Sequence, residues 1–292
     1  MKVAIYGQFY HKNSGAHVLT IIKAFQKKNS ILVIEENYKK LVEKELDKSL
    51  GDLPTFTSID KSYDLFISVG GDGTILKSIT YVGDLGIPIA GINTGRLGFL
   101  ATIQKEHISE SIARIIDGDY SISERSLLSI ETTPSQENIT KLNFALNEVA
   151  VNRKNTTSMI KVDTQVNGKY LTTYFSDGLI VATPTGSTGY SLSCGGPVID
   201  PSTSNIVLTP IAPHNLSARP LVLPDDCKIT LSVSGREDEF LVSLDSRIIT
   251  LQIDTILRIK KAPFSIKLVQ LTDESFIKTL REKLLWGEDK RN

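Results

Sequence analysis

One carboxylate set inside a glycine turn marks the most chemically pointed segment of the chain, Val69-Gly70-Gly71-Asp72-Gly73-Thr74. Upstream, Tyr63 to Val69 is rich in β-branched and aromatic residues and reads as a buried strand; downstream, Thr74 to Ile79 reads as the opening of a helix. Glycines at 70, 71 and 73 let a ligand approach the backbone closely, and a helix N-terminus behind such a turn favours phosphate. An aspartate repels a phosphate it merely touches, so Asp72 is better suited to orienting or deprotonating a hydroxyl that attacks phosphate. The alternative is a plain turn in which Asp72 caps the helix. The chain has no Gly-x-x-x-x-Gly-Lys-Ser/Thr loop, and Gln8 to Gly15, after the first strand, lacks Gly-x-Gly-x-x-Gly spacing.

Two further segments offer recognition chemistry. Asn147-Glu148 interrupts the apolar run Leu142 to Val151, and a polar pair buried without partners is unfavourable. Either the strand ends there or the pair serves a ligand. Asn carries a donor and an acceptor suited to a heterocycle edge, and an ionised Glu accepts from ribose hydroxyls. The other segment runs from Phe175 to Pro197 and contains Ser176-Asp177-Gly178 and Thr183-Pro184-Thr185-Gly186-Ser187-Thr188-Gly189-Tyr190-Ser191-Leu192-Ser193-Cys194-Gly195-Gly196. Small hydroxyl residues alternating with glycine offer donors and close approach but little packing, which argues for a binding loop rather than a core. A helix is expected near Gly189, with Tyr190 free to stack on a flat ring. Cys194 has no neighbouring His or Lys and reads as a packing thiol.

The elements that must hold these residues change character along the chain. Up to about residue 120, strand and helix patterns alternate: strands at Lys2 to Tyr6, Ile31 to Glu35, Tyr63 to Val69 and Ile87 to Gly91, and helices at Val18 to Lys28, Tyr38 to Leu50 and Lys105 to Asp117. Such alternation predicts an open parallel sheet with helices on its faces. From about Ser121 the period is two, at Ser126 to Thr132, Lys141 to Asn152, Ile160 to Val166 and Lys169 to Phe175, with Asn167-Gly168 a hairpin turn. Further strands are expected at Ile206 to Leu208, Lys228 to Val233, Phe240 to Leu244, Ile256 to Ile259 and Phe264 to Leu271. The tail returns to helix, with Thr272 as its cap and Phe276, Ile277, Leu280, Leu284 and Leu285 as an apolar face packing on the first domain. The expected domains are therefore 1–120 with 272–292, an α/β unit, and 121–271, a mostly antiparallel β unit.

Composition sets the outer limits. Lys plus Arg equals Asp plus Glu at 33 each, so no global field draws in nucleic acid or an anionic membrane. No apolar run is long enough to span a bilayer, and the N-terminus enters a strand with no signal-peptide pattern. Cys194 and Cys227 read as reduced thiols of a cytoplasmic protein, and His11, His17, His107 and His214 lack metal-ligand spacing.

Together, Gly70 to Thr74, Asn93-Thr94-Gly95-Arg96-Leu97-Gly98-Phe99-Leu100, Asn147-Glu148, Asp177-Gly178, Thr183 to Gly196 and Pro213-His214-Asn215-Leu216-Ser217-Ala218-Arg219-Pro220 resemble the NAD kinase family over nearly the whole chain. The resemblance implies a Rossmann-like α/β domain, a β domain and a last helix returning to the first. It implies transfer of the terminal phosphoryl group of ATP, or of inorganic polyphosphate, to the 2′-hydroxyl of the adenosine ribose of NAD. The product is NADP, and a divalent cation, Mg²⁺, travels with the nucleotide phosphates. On this resemblance Asp72 is the general base with Gly73 beside it, and Gly70, Gly71, Gly73 and Thr74 form the phosphate loop. Asn147 and Glu148 contact the dinucleotide, and Asp177 lies near the nicotinamide end, across a contact in a homodimer or homotetramer. Thr188, Gly189, Tyr190, Ser191, Leu192 and Ser193 line the adenine side, with Ala212, and Lys77 either reaches a phosphate or is an ordinary helix lysine. Asp245-Ser246 stands where many relatives have Asp-Gly, which leaves a ligand role for Asp245 less secure. Lipid kinases and 6-phosphofructokinases carry similar glycine-aspartate turns, and a silent dinucleotide sensor would need Asn147, Glu148 and the 176–197 loop but no base.

Overall fold

Short apolar strands separated by amphipathic helices build the first of two units, Met1–Glu124 together with the chain from Ile266 onward. The computed structural model describes residues 1–8, 14–155 and 158–285; His11, and the part of the expected 272–292 tail beyond Leu285, lie outside the described residues. The strands are β1 (Lys2–Gly7), β2 (Ile31–Glu35), β3 (Thr55–Phe56), β4 (Leu65–Gly70), β5 (Ile89–Asn93) and β6 (Ile103–Gln104). They pair in parallel in the order β3-β2-β1-β4-β5, with β6 on the end of β5 and Leu268 opposite Ile89. Every residue of β4 and β5 is buried, as a parallel sheet covered on both faces requires. The helices α1 (Ser14–Gln26), α2 (Glu36–Leu46), α3 (Asp72–Val82) and α4 (Ile108–Ile116) supply that cover. Val18, Ile21 and Phe25 of α1 and Ile112 of α4 pack with Ile5, Leu65 and Ile67, each such side chain contributing about 1.5–3 kcal/mol by leaving water.

Strand order reverses between β1 and β4, because the chain first builds β2 and β3 on one side and then β4 and β5 on the other. Open α/β sheets bind ligands at the carboxyl ends of strands beside such a switch. The turn from β4 into α3, which carries Asp72, lies there.

The second unit, Arg125–Ser265, holds β7 (Tyr120–Thr133, from Arg125 on), β8 (Phe144–Ala145), β9 (Glu148–Arg153), β10 (Ile160–Val166), β11 (Lys169–Ser176), β12 (Gly178–Ala182), β13 (Asn205–Ile211), β14 (Leu221–Pro224), β15 (Ile229–Ser234), β16 (Glu239–Leu244), β17 (Arg247–Gln252) and the first part of β18 (Ile256–Leu271). Helical turns interrupt them: α5 (Glu137–Thr140), a 3₁₀ turn at Thr185–Thr188 and α6 (Tyr190–Ser193). One antiparallel sheet runs β14-β13-β12-β9-β16-β17. The other runs β11-β10-β15-β18, with β7 against β18 and β8 against β7. Val151, Leu179, Val181 and Val242 from the first sheet share one core with Val162, Leu231 and Leu257 from the second. Asn167 (φ 51°) and Gly168 (φ 74°) turn β10 into β11 with both residues left-handed, the geometry expected of Asn-Gly.

The helix α7 (Phe276–Leu284) closes the first unit. Its cap is Ser275, whose hydroxyl accepts the Lys278 N–H, and not Thr272. The Thr272 hydroxyl instead accepts from Arg114 and donates to Asp119. Leu280 is buried, whereas Ile277 and Leu285 face solvent, so the apolar stripe is narrower than the sequence predicts. Three other expectations change. In the expected 105–117 helix, Lys105–His107 form a 3₁₀ turn and α4 begins only at Ile108. Ile256 to Leu271 is one strand, because Pro263 follows the residues laddered to β15 and breaks none of those pairs. The third change bears directly on the site: Gly178–Ala182 is a fully buried central strand in a segment whose sequence reads as loop.

Candidate active site

The candidate residues form two clusters, one within each unit. In the first, Gly71 occupies the helix-start position of α3 and makes no side-chain cap; Asp72 stands in the first turn. Its carboxylate turns to the loop after β5 instead. Oδ2 accepts the Phe99 N–H at 2.8 Å, and Oδ1 accepts those of Leu100 and Ala101, both at 3.0 Å. Successive amides converging on one anion form a concave nest, and bonds to a charged acceptor contribute about 1.5–3 kcal/mol each. Gly98 is required for the approach, since a Cβ there would lie 1.9 Å from Asp72 Oδ1. The loop is held from its other side by Asn93, which accepts the Gly95 N–H at 2.8 Å and donates to the Arg96 carbonyl at 2.6 Å. This explains the Asn93 to Leu100 signature: it is the socket for Asp72.

The Asp72 side chain retains 29 % of its exposure, and Lys283 of α7 stands 4.0 Å from Oδ2. The Lys283 ammonium also donates to the Leu97 carbonyl at 2.9 Å and lies 5.0 Å over the Phe99 ring. The returning helix thus places a cation beside the candidate base, which no pattern in residues 272–292 announces. Gly73 and Lys77 are exposed on α3, and Thr74 is buried.

In the second cluster, β8 stops at Ala145 and β9 begins at Glu148, so Leu146-Asn147 is a break between strands. The Asp245 carboxylate holds this break, accepting the N–H groups of Leu146 (3.0 Å), Asn147 (2.7 Å) and Glu148 (3.3 Å). The Thr183 hydroxyl donates to the Leu146 carbonyl at 2.6 Å, and the Thr183 N–H to that of Asn147 at 2.9 Å. Gly186 presses on the same segment, where a Cβ would come 2.0 Å from the Asn147 oxygen. Asn147 and Glu148 are therefore fixed by their backbone, which leaves the side chains to serve something else. Glu148 is 8 % exposed, and its Oε2 has no hydrogen-bond partner. Burial, with the nearby Asp245 charge, pushes its carboxyl up to about 8, against one opposing bond from the Tyr190 N–H.

The 183–196 segment divides into two populations. Thr183, Thr185, Ser187 and Ser191 are buried. Three of these hydroxyls bond internally: Thr183 donates to the Leu146 carbonyl, Ser187 bonds Pro184 and Ile199, and Ser191 bonds the Thr209 hydroxyl at 2.8 Å. Hydroxyl residues do build a core here, because Thr183, Ser187 and Ser191 each find a partner in the protein. Thr188, Gly189, Leu192 and Ser193 are partly or fully open, and the Tyr190 ring is 40 % exposed at the start of α6. A Cβ on Gly189 would lie 3.2 Å from Glu148 Oε2 and 3.4 Å from Asn147 Nδ2, so this loop and the Asn-Glu pair share one surface. Burial and the Glu148 charge push the Cys194 thiol up, consistent with a packing role. Asp177, at the other end of β12, pairs with Arg153 at 2.9 Å. Ala212, at the end of β13, is exposed and left-handed at φ 44°.

Among the described residues no cluster of three or more His, Cys, Asp or Glu side chains is arranged to hold a metal ion. That donor set would suit a cation held by ligand phosphates.

Residues 22–120 match the family model for the ATP-NAD kinase N-terminal domain, and residues 146–271 match that for the C-terminal domain. The NAD kinases of Christiangramia forsetii and Flavobacterium johnsoniae are 55 % and 53 % identical to this chain, each comparison covering 100 % of both proteins. The solved NAD kinase of Archaeoglobus fulgidus in complex with ATP is similar at a TM-score of 0.76 and 26 % identity, over 98 % of this chain and 99 % of that one. Yeast NADH kinase complexed with NADH shares the fold at a TM-score of 0.86 and 22 % identity, over 100 % of this chain and 89 % of that one.

Proposed function

Because the chain belongs to the NAD kinase family, we propose that it transfers the terminal phosphoryl group of ATP to the 2′-hydroxyl of the adenosine ribose of NAD, giving NADP. Asp72 is the base that receives the hydroxyl proton. The observation that carries this reading is that its carboxylate is fixed by three amides yet keeps an open edge. A base so held is positioned before substrate arrives. Asn147 and Glu148 hold the dinucleotide, and the open residues Thr188, Gly189, Tyr190, Leu192 and Ser193 line the adenine, with Ala212 beside them. Ser191 supports that loop from within. Gly73 and Lys77 meet phosphate. A Mg²⁺ carried on the nucleotide phosphates would supply charge neutralisation there.

Cys194 and Cys227 are both free, which supports a cytoplasmic setting. We take the active form to be a homodimer or homotetramer in which Asp177, braced by Arg153, faces the nicotinamide end of a neighbour's ligand. A coupled assay of NADP formation with ATP and with polyphosphate tests the reaction and its donor; absence of NADP with both would refute it. Dilution tests the assembly, since activity per chain should fall as subunits part.

A further inference from the structure

The two residues assigned to the dinucleotide owe their position to a side chain far away in sequence. Asp245 sits at φ 53° in the two-residue turn between β16 and β17, a left-handed conformation that Asp tolerates better than most residues. From there its carboxylate takes three successive N–H groups, Leu146 to Glu148, and its own N–H returns a 3.0 Å bond to the Glu148 carbonyl. Its side chain is 2 % exposed. Arg247, at the far side of the same turn, approaches Asp245 to 3.9 Å and donates to the Leu142 carbonyl at 2.7 Å and to that of Phe144. The turn thus splints residues 142–148 at both ends.

We propose that Asp245 is the positioning residue for dinucleotide recognition, holding Asn147 and Glu148 through their main chain without touching the ligand. This rests on the reading in which those two residues bind NAD. Two buried carboxyls close together do not share negative charge easily. Burial pushes the Asp245 carboxyl up, but three N–H donors and the Arg247 guanidinium oppose that and support a charge. Glu148 has only the Tyr190 N–H, and the other titratable groups around it are the Cys194 thiol and the Tyr190 phenol. The charge therefore rests on Asp245, and Glu148 keeps its proton. A protonated carboxyl both donates and accepts, which suits a sugar hydroxyl.

The test compares the full-length wild type with Asp245→Asn and Glu148→Gln, reading the KM for NAD, the KM for ATP, kcat, and calorimetric NAD affinity against pH. Asp245→Asn should raise the KM for NAD about tenfold while the KM for ATP and kcat change by less than about threefold. The pH step in NAD affinity that Glu148→Gln abolishes should move to lower pH in Asp245→Asn, because the neighbouring charge is gone. A lower melting temperature with both KM values and the pH step unchanged would overturn the assignment and leave Asp245 as scaffold alone. Should Asp245→Asn fail to fold, Asp245→Glu keeps the charge but displaces the turn; it must then raise the KM for NAD selectively, and an unchanged KM overturns the proposal. Failure of the parent reading is distinguishable, since Asn147→Ala and Glu148→Ala would then leave the KM for NAD unchanged in an enzyme that still turns over.

Discussion

The Asp72 carboxylate gathers the N–H groups of Phe99, Leu100 and Ala101, and the Asp245 carboxylate gathers those of Leu146, Asn147 and Glu148. Each has a cation close by, Lys283 at 4.0 Å and Arg247 at 3.9 Å. The two differ in what remains uncovered: the Asp72 side chain is 29 % exposed, the Asp245 side chain 2 %. They also differ in what they hold. Asp245 secures the Leu146–Glu148 segment, whereas the loop under Asp72 secures Asp72 itself. One local device thus serves two ends. Sealed, it is a splint; left open on one edge, it holds a charged group rigidly where a substrate can reach it.

The comparison is broken most sharply by replacing the open member. Asp72→Asn should lower kcat by roughly 10²–10⁴-fold, the usual range for a positioned base, with NAD affinity measured by calorimetry nearly unchanged. Near-normal turnover would mean that the open edge does no chemistry. Gly98→Ala forces the same carboxylate out of its nest, because the new methyl would overlap Oδ1. We expect kcat to fall on the order of tenfold or more and stability to drop by about 1–3 kcal/mol, the usual overpacking range; steady-state kinetics with urea unfolding would reveal either.

In the sealed cluster, Asn147→Ala and Glu148→Ala should each cost about 1–3 kcal/mol of NAD recognition if a ligand polar group is left unpaired. The KM for NAD should rise far more than that for ATP, and equal changes in both would remove the pair from dinucleotide binding. The last effect concerns pH. With its carboxyl raised from 4.5 to about 8, folded Glu148 keeps a proton that the unfolded chain releases, so stability falls as pH rises through that window. Glu148→Gln should remove this slope, gaining a few kcal/mol at most relative to wild type by pH 8. Parallel urea midpoints from pH 5 to 9 would contradict it.

Much of the fold is legible because burial leaves a periodic trace. β4 and β5 are covered on both faces and read as largely apolar runs, and β10 alternates buried and exposed residues up to the Asn167-Gly168 turn. β12 escapes such a reading because Gly178 and Thr183-Pro184 bracket a strand of only five residues, and its hydroxyl-rich sequel resembles a loop until the partners of Ser187 and Ser191 are seen. The candidate site residues stand out in the sequence by type. The way they are held does not, since Asp72 and Asp245 are bonded by main-chain N–H groups, which look the same in every residue. Lys283 is equally silent: a helix lysine acquires meaning only when α7 sets it beside Asp72.

The account turns on the open carboxylate doing chemistry and the sealed one doing none. The direct measurement is single-turnover phosphoryl transfer at saturating NAD and ATP for Asp72→Asn beside Asp245→Asn, each confirmed folded and ligand-bound. The account predicts a loss of at least about 10²-fold for Asp72→Asn and a rate within about threefold of wild type for Asp245→Asn once NAD saturates. Equal losses in the two variants, or the larger one at Asp245, would contradict it.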